Sequence, residues 1–204
     1  MKTPSGLPAP ERLKPLMQAM ATLDAILSPS WEYRYYSFDA RWSNSQQIGS
    51  IRNGLGDSVF VLFSEAGCIL KGYSHEYPSA FTPESFYQTI PREFSDLVEE
   101  PAFSPQQVSF CYWYSTGMAD WQSSVKESDI DERAFFLLQD LDSDPVFYVR
   151  FASDYFEADI DPENVASVLQ RTPMSNQLAK SLNPEIDFSS LLEELAGIGF
   201  PAAT

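Results

Sequence analysis

Apolar residues recur at steps of three and four near the start of the chain, between residues 11 and 27. This spacing places them on one face of a helix. Pro15 falls near the first turn, where its missing N–H costs little, and Ser28-Pro29-Ser30 is expected to end the helix. The apolar positions of this predicted helix are Leu13, Leu16, Met17, Met20, Leu23, Ile26 and Leu27.

The pattern then changes to short runs of β-branched and aromatic residues, which are typical of strands. The aromatic run Trp31–Phe38 predicts one strand. Three further runs, at residues 47–51, 58–63 and 68–73, are separated by turns that contain Asn-Gly, Gly-Asp and Ala-Gly. Glycine reaches positive φ at little cost and Asn tolerates it, so these runs predict a three-stranded antiparallel meander. Val59–Phe63 is apolar on both faces and should be its central strand.

The residues that follow continue the same alternation of strand and turn signals. Gly72 lies inside the third run of the meander, which indicates either a bulge or a close approach by another group. Thr82-Pro83-Glu84 predicts the start of a helix with Thr82 as its N-cap. Val108–Tyr114 predicts a further strand, and Ser115-Thr116-Gly117 turns it toward residues 121–125 as a hairpin partner.

From residue 131 onward the pattern is helical and acidic. Asp144-Pro145 and Asp161-Pro162 each combine an N-cap with proline in the first turn, and each predicts the start of a helix. Further helices are predicted at residues 134–141, 175–182 and 187–196, the last of which should end at Gly197.

The order of these elements predicts the fold class. A sheet-rich part at residues 31–125 precedes a helix-rich part at residues 131–197. This order predicts an α+β fold, in which an antiparallel sheet made of a meander and a hairpin packs against helices that dominate the C-terminal half. We expect residues 1–10 to form a flexible leader and residues 11–204 to form a single domain.

The charge of the chain is strongly negative and unevenly distributed. Its 204 residues include 13 Lys and Arg against 29 Asp and Glu, for a formal net charge of −16. Residues 1–92 hold 8 acidic and 8 basic residues, whereas residues 93–204 hold 21 acidic and 5 basic ones. The charge argues against binding of nucleic acid or of an anionic membrane, because both need a basic surface. The composition predicts an acidic cytoplasmic protein that is electrostatically suited to a basic protein partner.

Candidate metal and cofactor motifs fail on their spacing. Cys68 and Cys111 lie in apolar runs and are expected to be buried thiols, and with His75 they form no metal-ligand pattern. The alternating acids of Asp140–Asp144 are typical of a calcium loop, but proline follows where that loop needs glycine. The glycines of the Arg52–Asp57 turn lead into a strand, whereas a phosphate-binding loop leads into a helix. We therefore predict no metal and no cofactor.

Any histidine-based catalysis in this chain must use His75, because it is the only histidine. The turns on either side of the central strand should lie at its opposite ends, so we expect His75 to meet Asp57 only if the long first turn folds over. The alternative that we favour is a structural pair of His75 with Glu76, which would orient the loop that follows. The candidate catalytic residues are His75, Glu76, Lys71, Arg52 and Asp57.

Acidic and aromatic residues supply the candidates for binding a partner. Aromatic residues on sheets usually belong to the core, but on an uncovered face they would form a protein-binding hot spot. The acid-rich segment 127–163 is the first surface that we would test for a basic partner. The candidate partner-binding residues are Asp129, Asp131, Glu132, Asp140, Asp142, Trp113 and Trp121.

A longer pattern runs through residues 48–76. It consists of Gly49-Ser50-x-Arg52-Asn53-Gly54-x-Gly56-Asp57, followed by Lys71-Gly72-x-x-His75-Glu76. This pattern resembles an uncharacterised family of small bacterial cytosolic proteins, some of whose members are similar to immunity proteins of polymorphic toxin systems. The resemblance implies a non-enzymatic protein that neutralises a toxin, and it carries over no established activity.

Three functions therefore stay open. The first is a non-enzymatic binding protein, for example a toxin-neutralising immunity protein, and the second is an enzyme of unknown class with a site around His75 and Glu76. The third is a structural or interaction protein, which would need a sizeable apolar patch. A concave pocket with a perturbed ionisable pair would favour the enzyme, and a flat acidic face with protruding aromatic residues would favour the binding protein.

Overall fold

The computed structural model describes residues 4–141 and 143–203. Its first long element is helix α1, Pro10–Leu27, which confirms the helix predicted from the apolar spacing. Pro10 occupies the first turn, where no N–H is needed, and Ser28 follows the helix in an extended conformation. Most residues of α1 are buried, so the helix belongs to the core of the fold.

Five antiparallel strands form one sheet, in which each strand pairs with its neighbours in sequence. The strands are β1 Tyr36–Asp39, β2 Gln47–Arg52, β3 Ser58–Ser64, β4 Gly67–Tyr73 and β5 Phe110–Ser115. Strands β2 to β4 form the predicted meander, and β3 is the central strand, as predicted. β1 and β5 extend the meander by one strand at each edge.

The strand predicted for Trp31–Phe38 is only partly correct. Trp31–Tyr33 forms a short 3₁₀-helix, and β1 begins at Tyr36. The backbone N–H of Arg34 donates back into this 3₁₀-helix, and that of Tyr35 donates to a side chain of α1. These two N–H groups are therefore already used and cannot join a strand partner.

The strand predicted at residues 121–125 as the hairpin partner of β5 does not form, and only one bridge remains in its place. A single bridge joins Trp113 of β5 to Gln122, with N···O distances of 2.9 and 2.8 Å. The Ser123 hydroxyl then forms hydrogen bonds with both backbone groups of Val125, at 2.8 and 3.2 Å. Such side-chain hydrogen bonds compete with a sheet ladder, so a local turn replaces the expected strand.

The two faces of the sheet have different surroundings. Directly opposed residues of paired strands share a face. The register therefore assigns Tyr36, Ile51, Val59, Gly72 and Phe110 to one face and Ser37, Ser50, Phe60, Lys71 and Cys111 to the other. α1 covers the first face, where the Met17 methyl group lies 2.6 Å from the position of a Cβ on Gly49. On the second face, residues 101–107 lie over β3 and β4, while β1 and β2 border an open groove.

Helices dominate the rest of the chain, and together with the antiparallel sheet they confirm the α+β fold. They are α2 Pro83–Tyr87, α3 Ser95–Glu99, α4 Pro145–Phe156, α5 Pro162–Leu169, α6 Asn176–Leu182 and α7 Phe188–Ile198. The last three pack on α1, and α4 packs on α5. Four side chains cap these last four helices by accepting a backbone N–H: Asp144, Asp161, Ser175 and Asp187.

Three predicted helices differ in detail from the structure. The short helix predicted at residues 134–141 is present as the 3₁₀-helix Glu132–Asp140. α2 begins after Thr82, as predicted, but the Thr82 side chain makes no capping hydrogen bond to its backbone. The predicted end of the last helix at Gly197 is wrong: α7 runs through Gly197 to Ile198, and Gly199 follows it in the left-handed conformation, with φ 76°.

The residues before α1 also contact the domain. Pro4–Gly6 forms a 3₁₀ turn, Leu7 is buried, and its carbonyl accepts the indole N–H of Trp121 at 3.3 Å. The domain boundary at residue 11 stays a prediction. Within residues 4–141 and 143–203, no helix has the length and apolar character needed to cross a membrane.

The most deeply buried acid of the described chain joins three elements. Asp24 of α1 has no solvent exposure. Its Oδ2 accepts the backbone N–H groups of Tyr35 and Tyr36, each at 2.8 Å, and its Oδ1 accepts the hydroxyl of Tyr148 on α4 at 2.7 Å. Burial raises the pKa of Asp24 to about 7, against the opposing effect of these hydrogen bonds and of Arg34. The carboxyl group therefore links the start of β1 to α1 and α4.

We predict that Asp24 makes the stability depend on pH. Its pKa is higher in the folded state than its ordinary value of 3.8, so its contribution is complete below pH 3.8 and is lost as the pH rises toward 7. Asp24→Asn stays neutral, and its amide can still accept both N–H groups and donate to the Tyr148 oxygen. Its free energy of unfolding should therefore rise relative to the wild type over this range, by roughly a few kcal/mol.

Urea unfolding of both proteins at several pH values measures this difference. Asp24→Ala is the control, because it loses the hydrogen bonds at every pH and should cost about 3 kcal/mol or more where the wild type is neutral. A wild type that instead gains stability over Asp24→Asn as the pH rises would show that the buried group is ionised in the fold.

Gly72 marks a close approach of the Phe110 side chain and not a bulge. A Cβ at this position would lie 2.0 Å from Cζ of Phe110 on the neighbouring strand. The ring therefore occupies the space that any side chain would need. We expect Gly72→Ala to lower the free energy of unfolding by about 1–3 kcal/mol, because the Phe110 ring must leave its position.

Gly197 provides the matched control for this prediction. It lies inside α7, and apart from its two neighbours in sequence and the backbone of its own helix, no heavy atom of the described chain lies within 4 Å of its Cβ position. Gly197→Ala should raise the free energy of unfolding by up to about 1 kcal/mol, because alanine favours the helix. Similar effects of the two substitutions in urea unfolding would contradict the packing of Phe110 on Gly72.

Candidate functional site

The turn after β2 and the end of β4 lie at the same end of the sheet. Ser58 pairs with Tyr73, so the chain that leaves β4 passes beside the residue that precedes β3. Asp57 Oδ1 accepts the backbone N–H of His75 at 2.8 Å and also lies 2.8 Å from Nδ1 of its ring. Our expectation that the long turn must fold over was wrong, because β4 runs antiparallel to β3 and returns His75 to Asp57.

Asn53 completes this cluster from within the turn. Its Nδ2 donates to Asp57 Oδ2 at 2.6 Å, and its Oδ1 accepts the backbone N–H of Asp57 at 3.2 Å. Gly54 and Gly56 have φ values of 73° and 106°, which only glycine adopts readily. Although burial raises the pKa of Asp57, the hydrogen bonds from His75 and Asn53 hold it below its ordinary value.

The other predicted catalytic residues do not join this cluster. The favoured pair of His75 with Glu76 is wrong, because the His75 ring bonds to Asp57. Lys71 is buried, and its Nζ donates to the carbonyls of Phe103, Ser104 and Gln107, the last two at 2.8 and 2.7 Å. Burial lowers the pKa of Lys71 to about 8, and all three of its ammonium N–H groups have an acceptor.

The Asp57–His75 pair connects two segments of the chain, and few of its polar groups are free for other chemistry. Asp57 orients the imidazole through Nδ1, which leaves Nε2 for another group. The Asp57 carboxylate, however, also accepts the backbone N–H of His75. Neither residue lines the two grooves described below. The arrangement therefore fastens the β2–β3 turn to the end of β4.

We predict that the two members of this pair contribute unequally to stability. Asp57→Ala removes the acceptor of three hydrogen bonds and should lower the free energy of unfolding by about 2 kcal/mol or more. His75→Ala removes a half-exposed ring and should cost about 1 kcal/mol or less. Thermal unfolding of both variants measures this ratio, and a larger loss for His75→Ala would contradict the role of Asp57 as the tie.

The predicted acidic residues have mixed environments. Asp129, Asp131 and Glu132 are exposed. Asp131 is held by Arg133, whose guanidinium lowers the pKa of the carboxyl to about 2 by donating hydrogen bonds to it. Asp140 is partly buried and accepts the Tyr35 hydroxyl at 2.5 Å. Asp142 lies outside the described residues.

The predicted tryptophans are corrected by the structure. Trp113 and Trp121 are both buried and belong to the core, so neither is a surface residue that a partner would contact. The tryptophans at the surface are Trp31 and Trp42, which are 56% and 38% exposed. Trp113 lies within β5 and packs in the core, whereas Trp31 and Trp42 lie outside the strands and border the open groove.

An aromatic groove lies over β1 and β2 on the face away from α1. Its volume is about 380 Å³. The rings of Phe60 and Phe103 pack 5.1 Å apart, and Trp42 packs on Phe103 at 5.2 Å. The residues that define this aromatic groove are Trp31, Ser37, Trp42, Arg52, Phe60 and Phe103.

Two polar atoms in the wall of the aromatic groove have no partner in the described chain. They are Nε of Arg52 and Oγ of Ser37, both buried. The Arg52 guanidinium carbon lies 4.1 Å above the ring of Trp31, and burial lowers the pKa of Arg52. Arg52 is a candidate from the sequence, but its position in an aromatic groove is not predicted, because Trp31, Trp42 and Phe103 come near it only in the folded chain.

A second groove is acidic and lies beside α7. Its volume is about 550 Å³. The one cation in its wall is Arg34, which is buried and donates to Glu194 at 2.8 Å and to the carbonyls of Ser28 and Pro29. The acids of this α7 groove are Glu185, Asp187, Glu193 and Glu194.

In residues 4–141 and 143–203, no group of three or more His, Cys, Asp or Glu is arranged to hold a metal ion. Comparisons of the chain with protein-family models, with curated proteins and with solved structures found no match. The family resemblance of residues 48–76 therefore stays a prediction, and the function must be inferred from the geometry.

Proposed function

We propose that this chain is a non-enzymatic binding protein whose acidic helical half recognises a basic protein partner. The observation that carries the proposal is the α7 groove, a concavity of about 550 Å³ with four carboxylates in its wall. Basic side chains of a partner would enter this groove and pair with its carboxylates. A cytoplasmic immunity protein that neutralises a basic toxin is the specific form of the proposal.

The charges of the α7 groove are suited to an external cation. Glu194 is already paired with Arg34, and Asp187 caps α7. Glu185 and Glu193 are exposed, and their carboxylates make no hydrogen bond or ion pair with the described residues. Two carboxylates are thus left for a partner, in a concave setting where their fields add.

Catalysis is less well supported by the same structure. Lys71 donates all three of its N–H groups to carbonyls, and Asp57 holds a backbone N–H as well as the His75 ring. Groups whose hydrogen-bonding capacity is taken up within the fold stabilise it and have little freedom to transfer protons. The buried thiols of Cys68 and Cys111 are also unsuited to catalysis, since burial raises the pKa of each.

Two variants of equal charge test the surface. Glu185→Gln with Glu193→Gln neutralises the α7 groove, and Asp129→Asn with Glu132→Gln neutralises the segment favoured from the sequence. The probes are the basic proteins encoded by the genes next to this one, tested by calorimetry at low and at physiological salt. We expect salt-sensitive binding that the groove variant weakens by about tenfold, because two charge pairs of roughly 1 kcal/mol or less each are lost.

The comparison of the variants locates the contact. A larger loss in the segment variant would move the site to residues 127–163 and contradict the α7 groove. Equal losses would indicate long-range attraction without a defined site. An absence of binding at low salt would show that the proposed partner class is wrong. Both variants must keep the wild-type unfolding midpoint for this reading.

A further inference from the structure

The aromatic groove combines a large apolar wall with an uncompensated cation. Trp31 and Trp42 expose more than a third of their surface, although indole rings are usually covered in a folded protein. Trp42, Phe103 and Phe60 follow one another as packed rings. A volume of about 380 Å³ suits a compact ligand with one or two fused rings.

The Arg52 guanidinium is the cation of this wall. It stacks on Trp31, but no carboxylate of the described chain pairs with it and its buried Nε has no acceptor. A buried donor without a partner is costly, and a half-buried cation without a counter-ion adds to that cost. Arg52 therefore lacks a planar anion that would accept from its N–H groups.

Ser37 supplies a second donor on the same face. It lies directly opposite Ser50 on the neighbouring strand, and Arg52 is two residues further along that strand. All three side chains therefore project from the same face of the sheet, and the Ser37 hydroxyl is buried without a partner. The two donors, Arg52 and Ser37, therefore project from the sheet into the groove, and the aromatic rings form the rest of its lining.

We propose that the aromatic groove binds a small planar aromatic carboxylate. The ring of the ligand packs against Trp31, Trp42 and Phe103, and its carboxylate accepts from Arg52 and Ser37. A neutral aromatic molecule leaves the guanidinium without a counter-ion, and a cation is repelled by it. Asp39 also borders the groove, but it is exposed and accepts the backbone N–H of Arg41 at 2.7 Å.

This site is independent of the proposed protein-binding function. The aromatic groove is lined by residues between 31 and 60 and by residues 102–103, whereas the acids of the α7 groove lie between residues 185 and 194. Residues 1–92 carry equal numbers of acidic and basic residues, but Asp96, Glu99 and Glu100 line a neighbouring pocket that shares Trp42 and Phe103 with the aromatic groove. Screening over about 8–10 Å at physiological salt limits the repulsion of an anion by these carboxylates.

The test uses naphthoate as the anionic probe and naphthylmethanol as its neutral analogue. Calorimetry measures both affinities for the full chain, and nuclear magnetic resonance follows the indole N–H signals of the tryptophans. We expect naphthoate to bind at least about tenfold more tightly than the alcohol, because it alone pairs with Arg52. The signals of Trp31 and Trp42 should shift, while those of the buried Trp113 and Trp121 should not.

Two pairs of variants assign the contacts. Arg52→Gln should weaken naphthoate binding by at least about tenfold, whereas Arg41→Gln, which removes the same charge from an exposed loop outside the groove, should not change it. Trp42→Ala should weaken both probes, whereas Tyr33→Ala removes an exposed ring outside the groove and serves as its control. Unfolding midpoints verify that each variant is folded.

Several outcomes would overturn the proposal. These are no naphthoate binding at millimolar concentration, equal affinity for the alcohol, or an Arg52→Gln variant that binds as tightly as the wild type. Binding of a peptide that ends in a free tryptophan, without binding of naphthoate, would identify a protein terminus as the occupant instead. None of these results depends on whether a basic protein binds the α7 groove.

Discussion

A carboxyl group with no access to water must receive hydrogen bonds from the protein, and Asp24 receives three of them from two distant parts of the chain. The backbone at Tyr35 and Tyr36 is fixed against α1 in this way, which sets where β1 begins. The Tyr148 hydroxyl brings α4 to the same point. Because β1 carries Ser37 on its other face, the position of the aromatic groove also depends on this one buried acid.

The residues that first suggested catalysis explain how the sheet is covered and closed. Lys71 reaches from β4 to three carbonyls and holds residues 103–107 against the sheet, which places Phe103 beside Phe60. Asp57 fastens the end of β4 to the turn before β3. A buried ammonium or carboxylate of this kind stabilises a specific arrangement, since each donor or acceptor has only one place where it is satisfied. Ionisable residues in a motif therefore need not belong to an active site.

The two grooves divide the molecule by charge. The helical half concentrates the acids, and around α7 they line a concavity with one buried and occupied cation, Arg34. Residues 1–92, which include β1 to β4, are neutral as a whole, and the open groove over β1 and β2 contains an arginine without a counter-ion. We therefore propose a basic protein as the partner of the first surface and a small anion as the ligand of the second. Their separation lets each proposal succeed or fail without the other.

The sequence by itself determined α1, the meander β2 to β4, the central position of β3 and the caps of the later helices. These features depend on apolar periodicity, on glycine and asparagine in turns and on side chains that bond to the adjacent backbone, all of which act between residues close in sequence. Only the tertiary structure decided that His75 pairs with Asp57, that Lys71 is buried and that Trp31 and Trp42 are exposed while Trp113 and Trp121 are not. The first outcome depends on the register in which β4 returns along β3. The other two depend on which distant segment covers a given face of the sheet, and contacts between distant segments leave no periodic signal in the chain.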